Sequence, residues 1–271
     1  MFLNNFFKIF ILVAITFLFI FETSFAQSER FQVLLITKVE SYPHRHTSIS
    51  NGAEMFKDLG RKYRFGVHWT DNTQIFDDPE RMNEFDVIVF MNSAGNILNE
   101  SQKRGFQDFI RNGGNFVGIH GAIYTFFEAR SPREESEATW QWYNDLIGAE
   151  YNFHPGQHIA VLNVEDHSHP STAHLPANWV VMDEWYNFSE VSDDINVLLT
   201  IDENLSSQGS YPGDQMGNVH PMAWYQDDFE GNGARSFYTM LGHPEDQYDD
   251  PMYRKHIAGA VWWAATGIML D

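Results

Sequence analysis

Twelve histidines and no cysteine leave this 271-residue chain with imidazole, carboxylate, phenol and hydroxyl groups as its reactive inventory, or with a metal held by nitrogen and oxygen ligands. Position, more than number, selects the candidates. His44 and His46 follow the apolar segment Phe31 to Thr37, His120 follows Asn115 to Ile119, and His243 follows Ser236 to Leu241. In Gly118-Ile119-His120-Gly121-Ala122, small residues flank the histidine as in a nucleophile elbow, a sharp turn out of a strand that projects its central side chain. Imidazole is a poor acyl acceptor but suits proton transfer near neutral pH or metal ligation. A histidine capping a helix is the structural alternative.

Further candidates gather around these three. Glu184 and Tyr186, two apart on an expected strand, would present a carboxylate and a phenol to one face; an exposed edge pair is the plainer reading. Asn92 and Ser93 follow the strand ending at Met91, beside the other strand ends. Arg235 opens a strand in a chain poor in basic residues, and would bind a substrate oxygen or pair with an acid. His154 precedes another strand and is a rim candidate. Most aromatics fall at core periodicity, but Trp224, with Trp185 and Tyr124, lies near the expected site. For a divalent metal such as zinc, His44-x-His46, His154-x3-His158, His167-x-His169 and Glu184 offer ligands without completing a closed signature.

The elements that must position these groups follow from periodicity. Phe31 to Thr37, Asp86 to Met91 and Asn115 to Ile119 are near-continuous apolar runs, as in strands covered on both faces. Between them, Ile49 to Tyr63 and Asn99 to Asn112 carry apolar residues at helical spacing, the second stopped by Gly113-Gly114, and Phe65 to Thr70 adds a short strand. This alternation predicts an α/β fold, a doubly wound, flavodoxin-like parallel sheet with helices on both faces. Five strand-like segments in the second half (157–164, 179–188, 195–201, 221–225 and 236–241) predict added antiparallel strands or a layer over the sheet edge. Asp249 to Thr266 closes the chain as a helix started by Asp250-Pro251, with Ile257, Val261, Trp262 and Ala265 inward. Ligands of such sheets bind beyond the carboxyl ends of the strands. His46, His120 and His243 are therefore expected around one pocket there.

Residues Met1 to Ala26, with Lys8 before the apolar run Ile9 to Phe21 and small residues at Ser24 and Ala26, have the pattern of a secretory signal peptide cleaved after Ala26. The run is about 13 residues, short of the roughly 20 of a membrane-spanning helix, so no stable membrane insertion is expected after cleavage. The mature domain, 27–271, is expected in the periplasm or outside the cell. Seventeen Lys and Arg against 37 Asp and Glu give a formal charge of −20, and removing the leader takes away only Lys8 and Glu22. That field repels nucleic acid, which is excluded as a partner.

The order of His46-Thr47-Ser48-Ile49, Gly113 to Ala122, Asp183-Glu184-Trp185-Tyr186, His220-Pro221-Met222-Ala223-Trp224-Tyr225 and Gly233 to His243 resembles the ThuA-like (trehalose utilisation) family, over roughly Phe31 to Gly267. The resemblance implies the fold of class I glutamine amidotransferases, with His120 where those enzymes keep a cysteine, and hence no glutaminase activity. It further implies a small-molecule carbohydrate as partner, a disaccharide or an oxidised 3-keto-glycoside. The expected activity is acid–base chemistry with His46 and His120 as general base and acid and Glu184 orienting one of them, alongside Asn92, Ser93, Tyr186, Trp224, Arg235, His243 and His154 as substrate contacts. A noncatalytic sugar-binding protein and a metal-dependent hydrolase are the alternatives.

Overall fold

The computed structural model describes residues 28–40, 47–128, 137–138, 140–205, 216 and 219–270; the expected leader, His44 and His46 lie outside them. The chain runs β1 (Gln32–Ile36), α1 (Ser48–Tyr63), β2 (Gly66–Thr70), α2 (Pro79–Met82), β3 (Val87–Met91), α3 (Glu100–Arg111), β4 (Asn115–Ile119), β5 (Phe127–Glu128), β6 (Glu137–Ala138) and α4 (Gln141–Ile147). It continues β7 (Ala149–Phe153), β8 (His158–Val164), β9 (Asn178–Asp183), β10 (Asn187–Val191), β11 (Asn196–Ile201), β12 (Pro221–Phe229), β13 (Ala234–Thr239) and α5 (Pro251–Thr266). Among the described residues, no helix is long and apolar enough to cross a membrane.

Nine strands form one sheet in the order β2-β1-β3-β4-β13-β12-β11-β8-β9. Strands β1 to β4 are parallel; β1, β3 and β4 are buried apolar runs joined by helical crossovers, and β2, only partly buried, forms the edge. β13 does not join the antiparallel half at its edge. It returns to pair in parallel with β4, Phe237 beside Val117 and Tyr238 beside Gly118, and β12, β11, β8 and β9 then continue antiparallel. β10 and β7 form a separate two-stranded layer.

Both faces are covered. On one, Phe90 of β3 packs on Phe106 of α3 and Tyr143 of α4. On the other, α5 is buried nearly all round, and its Gly259 lies so close to the loop carrying Pro170 that an added Cβ would sit 2.3 Å from the Pro170 carbonyl oxygen. Helix starts obey local chemistry: the Asn99 side chain caps α3 in a box with Gln102, and Asp250 accepts from Met252 and Tyr253 ahead of Pro251.

One expected strand is broken. Segment 179–188 divides into β9 and β10, so Glu184 and Tyr186 lie on a connecting loop and not on a common strand face. The break has a cause at each end: the Asp183 carboxylate accepts the Glu184 N–H at 2.8 Å, and the fully buried Trp185 donates its indole N–H to the His158 carbonyl at 2.9 Å.

Two histidines are structural. His256 of α5 bonds the Ser171 carbonyl and the Thr239 hydroxyl, and burial pushes its pKa down to about 3; burial likewise takes His169 down to about 4. Below pH about 6.5 the unfolded chain binds protons that the native state refuses, so stability falls with falling pH by about 1.4 kcal/mol per unit per group until the folded pKa is reached. His256→Gln should therefore flatten the loss of stability between pH 6.5 and 4.5 relative to wild type, whatever it costs at pH 7. Denaturant melts across that range check it, and a wild-type-to-variant difference independent of pH would count against it.

Candidate active site

At the end of β4 the backbone turns sharply, because His120 adopts a left-handed conformation with φ +48° before a single 3-10 turn, His120–Tyr124. A non-glycine residue holds this conformation only where its surroundings over-determine it. Here they do. Tyr238 of β13 donates its hydroxyl to the His120 carbonyl at 3.0 Å, and the His120 Nδ1 donates to the Met240 carbonyl at 2.7 Å. Gly121 packs so close to Asn92 that a Cβ would lie 3.1 Å from the Asn92 Cα.

With Nδ1–H committed to a carbonyl, His120 presents the lone pair of Nε2 to the site. The Tyr186 hydroxyl donates to it at 2.9 Å, and the His243 Nδ1 lies 3.3 Å away. Glu184 Oε2 stands 3.0 Å from His243 Nδ1 and 3.8 Å from His120 Nε2. His154 Nδ1 is also 3.8 Å from Glu184 Oε2, and its ring packs on Tyr186 with centroids 5.2 Å apart. His120 and Tyr186 form the buried floor; His243, Glu184 and His154 are partly open to solvent. Nδ1 of His243, Nε2 of His120 and a Glu184 oxygen lie close enough together to hold one metal ion.

Asp183 sets this geometry. Its Oδ2 accepts the Gly242 N–H at 2.9 Å, and its Oδ1 accepts the N–H groups of Glu184 at 2.8 Å and His243 at 3.3 Å. Gly242, at φ +136°, makes the turn that carries His243 back over β4. Burial raises the Asp183 carboxyl to about 7 against the pull of those three donors. For His243, burial opposes protonation, yet the Glu184 hydrogen bond and the charges of Glu184 and Asp183 prevail and raise its pKa. Burial drives the Tyr186 phenol well above its ordinary value. The Tyr186 backbone is pinned as well: its carbonyl accepts from His220 Nε2 at 2.7 Å, and His220 Nδ1 lies 2.8 Å from Glu203 Oε1, with burial lowering the His220 pKa against both partners.

The structure brings together His120, Glu184, Tyr186, His243 and His154; His46 lies outside the described residues. The other expected contacts belong to the framework. Asn92 is fully buried with φ +51°, its amide directed to Ser48, Tyr248 and the Gly242 carbonyl, and Ser93 bonds Thr125 at 2.8 Å. Trp224 is buried, donating to the Ile147 carbonyl at 2.7 Å and packing on Tyr238, with no face left for a sugar. Arg235 lies at the opposite end of the sheet, because it starts β13, and its guanidinium donates to the carbonyls of Ala264 and Ala265 at the end of α5. Asp183 and His220 stand in the motifs that carry the resemblance but were given no role, and Glu203 was not singled out. An acid ending the apolar run Trp179-Val180-Val181-Met182 was the available signal for Asp183.

The trehalose utilisation model, ThuA, matches residues 32–264. The chain belongs to the ThuA family. A ThuA-like protein from Bacteroides uniformis has a similar structure, with a TM-score of 0.70 at 19% identity, covering 90% of this chain and 95% of that one. A ThuA-like protein from Parabacteroides merdae gives 0.66 at 23% identity, with 89% and 92% covered, and a cytoplasmic protein of Salmonella typhimurium gives 0.56 at 12%, with 87% and 99%. At these identities the likeness is one of fold. No curated protein matches the chain in sequence.

In this ThuA protein the Asp183 anchor is open to test. Asp183→Asn turns one acceptor oxygen into a donor facing backbone N–H groups, and leaving a buried donor unmade costs about 1–3 kcal/mol. The variant should lose about that much in urea denaturation; unchanged stability would mean that the anchor does not hold the two turns together.

Proposed function

We propose that this ThuA protein acts on a carbohydrate bound over the His120–Glu184–His243–Tyr186 cluster, and that the cluster moves protons on and off the sugar. The observation that carries the reading is the convergence of a fixed imidazole lone pair, a phenol, a second imidazole and a carboxylate within hydrogen-bonding range at the carboxyl ends of two adjacent parallel strands. The family's description, trehalose utilisation, supports a disaccharide-derived substrate.

On a 3-keto-glycoside the work for such a cluster is removal of the proton on the carbon beside the carbonyl. His120 Nε2 accepts that proton, directly or through the Tyr186 hydroxyl. The His243–Glu184 pair, on the open side, returns a proton to the oxygen that gains charge or departs. The role given to His46 rests on its sequence position alone and enters no step here. We also propose that the chain works outside the cytoplasm after loss of residues 1–26, so the mature protein should begin at Gln27.

General acid–base groups contribute typically about 10²–10⁴-fold to rate, whereas removing a hydroxyl from a buried ring barely alters its shape. Tyr186→Phe and His120→Gln should each keep the fold by circular dichroism while turnover of 3-keto-trehalose, followed by product analysis, falls by at least about 10²-fold. Turnover at the wild-type rate in both variants would refute the assignment. Saturable sugar binding with no product from wild type would instead make this a binding protein.

A further inference from the structure

We propose that His120 Nε2, Glu184 Oε2 and His243 Nδ1 form a binding site for one divalent transition-metal ion of the zinc class. The inference deepens the proposed function, since it rests on the same cluster being the reaction centre.

The geometry points to it first through distance. The three atoms are separated by 3.8, 3.0 and 3.3 Å. Ligands held at about 2.0–2.1 Å in a tetrahedron lie about 3.3 Å from one another, the middle of this range. One ion can therefore reach all three once the Tyr186 hydroxyl turns its hydrogen away from Nε2 of His120 and Nδ1 of His243 gives up its proton.

Tautomer and support are the second argument. A ligating imidazole ordinarily donates its other N–H to a carbonyl or carboxylate, which fixes the ring and directs the remaining lone pair at the metal. His120 does this through Nδ1 to the Met240 carbonyl at 2.7 Å. The other two ligands are supported from behind, since Asp183 holds the backbone N–H groups of both Glu184 and His243.

The donor set is the third. Two imidazoles and one carboxylate, without sulfur, suit zinc and neighbouring first-row ions, and three protein ligands with an open position mark a catalytic rather than a structural site. Here Glu184 and His243 are partly open to solvent, His154 lies 3.8 Å from Glu184 Oε2, and His120 is buried beneath. His154-x3-His158 and His167-x-His169 supply no ligand to this triad. The triad instead joins residues from three distant parts of the chain, which is why spacing in the sequence did not reveal it. When bound, the ion would act as a Lewis acid toward carbonyl or hydroxyl oxygens of the sugar. With the ion bound, the Nε2 lone pair of His120 would be taken, so the proton-accepting role proposed for it would pass to Tyr186, whose hydroxyl stands 2.9 Å away.

The test is calorimetric titration of the purified, chelator-stripped chain with zinc chloride, and separately with manganese chloride. About one ion per chain should bind. Glu184→Gln and His243→Gln, both partly exposed and close to isosteric, should weaken binding by about 10²-fold or more, since even outer-shell changes cost about 10–100-fold. His167→Gln, an exposed change outside the cluster, should bind as wild type. Absence of saturable binding by either ion, or equal binding by wild type and both ligand variants, overturns the site. Failure here is separable from failure of the proposed function: stripped protein that binds no metal yet turns over the keto-sugar through His120 keeps the reading and loses the metal. Stoichiometric binding without any turnover does the reverse.

Discussion

A carboxylate shut away from water holds this molecule's chemistry in place. Asp183 sits at the end of β9 and gathers backbone N–H groups from Glu184, Gly242 and His243, so it ties the loop leaving the antiparallel edge to the turn leaving the central strand β13. A buried carboxylate is tolerated only when its lone pairs are taken. Meeting that demand forces Glu184 and His243 toward each other. Their contact at 3.0 Å, with His120 beneath, follows from an anchor that touches no reacting atom.

The sheet order supplies the rest. β4 and β13 are neighbours and run the same way, so whatever follows their last residues meets above the same edge. His120 follows one directly and His243 the other after a short turn. The strained φ at His120 keeps its imidazole under the cluster, while Tyr186 arrives from the β9–β10 loop and is locked by His220 and Glu203. Three segments distant in sequence thus meet in one cluster: His120 from the end of β4, Glu184 and Tyr186 from the β9–β10 loop, and His243 from the turn after β13.

What could be read in the sequence followed from local periodicity. β1, β3, β4, α1 and α3 announce themselves because fully buried strands and one-faced helices need characteristic apolar spacing, α5 because it opens at Asp250-Pro251 and is apolar nearly all round, and His120 and His243 stood out because they follow such strands. The division of 179–188 was hidden, since Trp185, Tyr186 and Phe188 are strand-forming residues and the Asp183 and Trp185 hydrogen bonds that break the run leave no mark in its spacing. Arg235 and Trp224 looked like binding residues by type. Their fate depended on which end of β13 faces the site and which side of β12 is covered, and these are properties of the assembled sheet. His220 and Glu203 were illegible for the same reason: a histidine–carboxylate pair that supports a backbone carbonyl has no local signature.

The position of β13 also bears on how the molecule comes into being. Until the last part of the chain has been made, β4 has no partner on one side and presents a row of unpaired backbone groups on an apolar strand, a surface prone to wrong pairing. Closing that gap brings together segments more than a hundred residues apart, as in the pairing of Gly118 with Tyr238. Long-range pairings of this kind are slow to form. The floor of the site, with His120 carried on β4 and held by Tyr238, therefore waits on the pairing of β13, which also leads into the turn that carries His243.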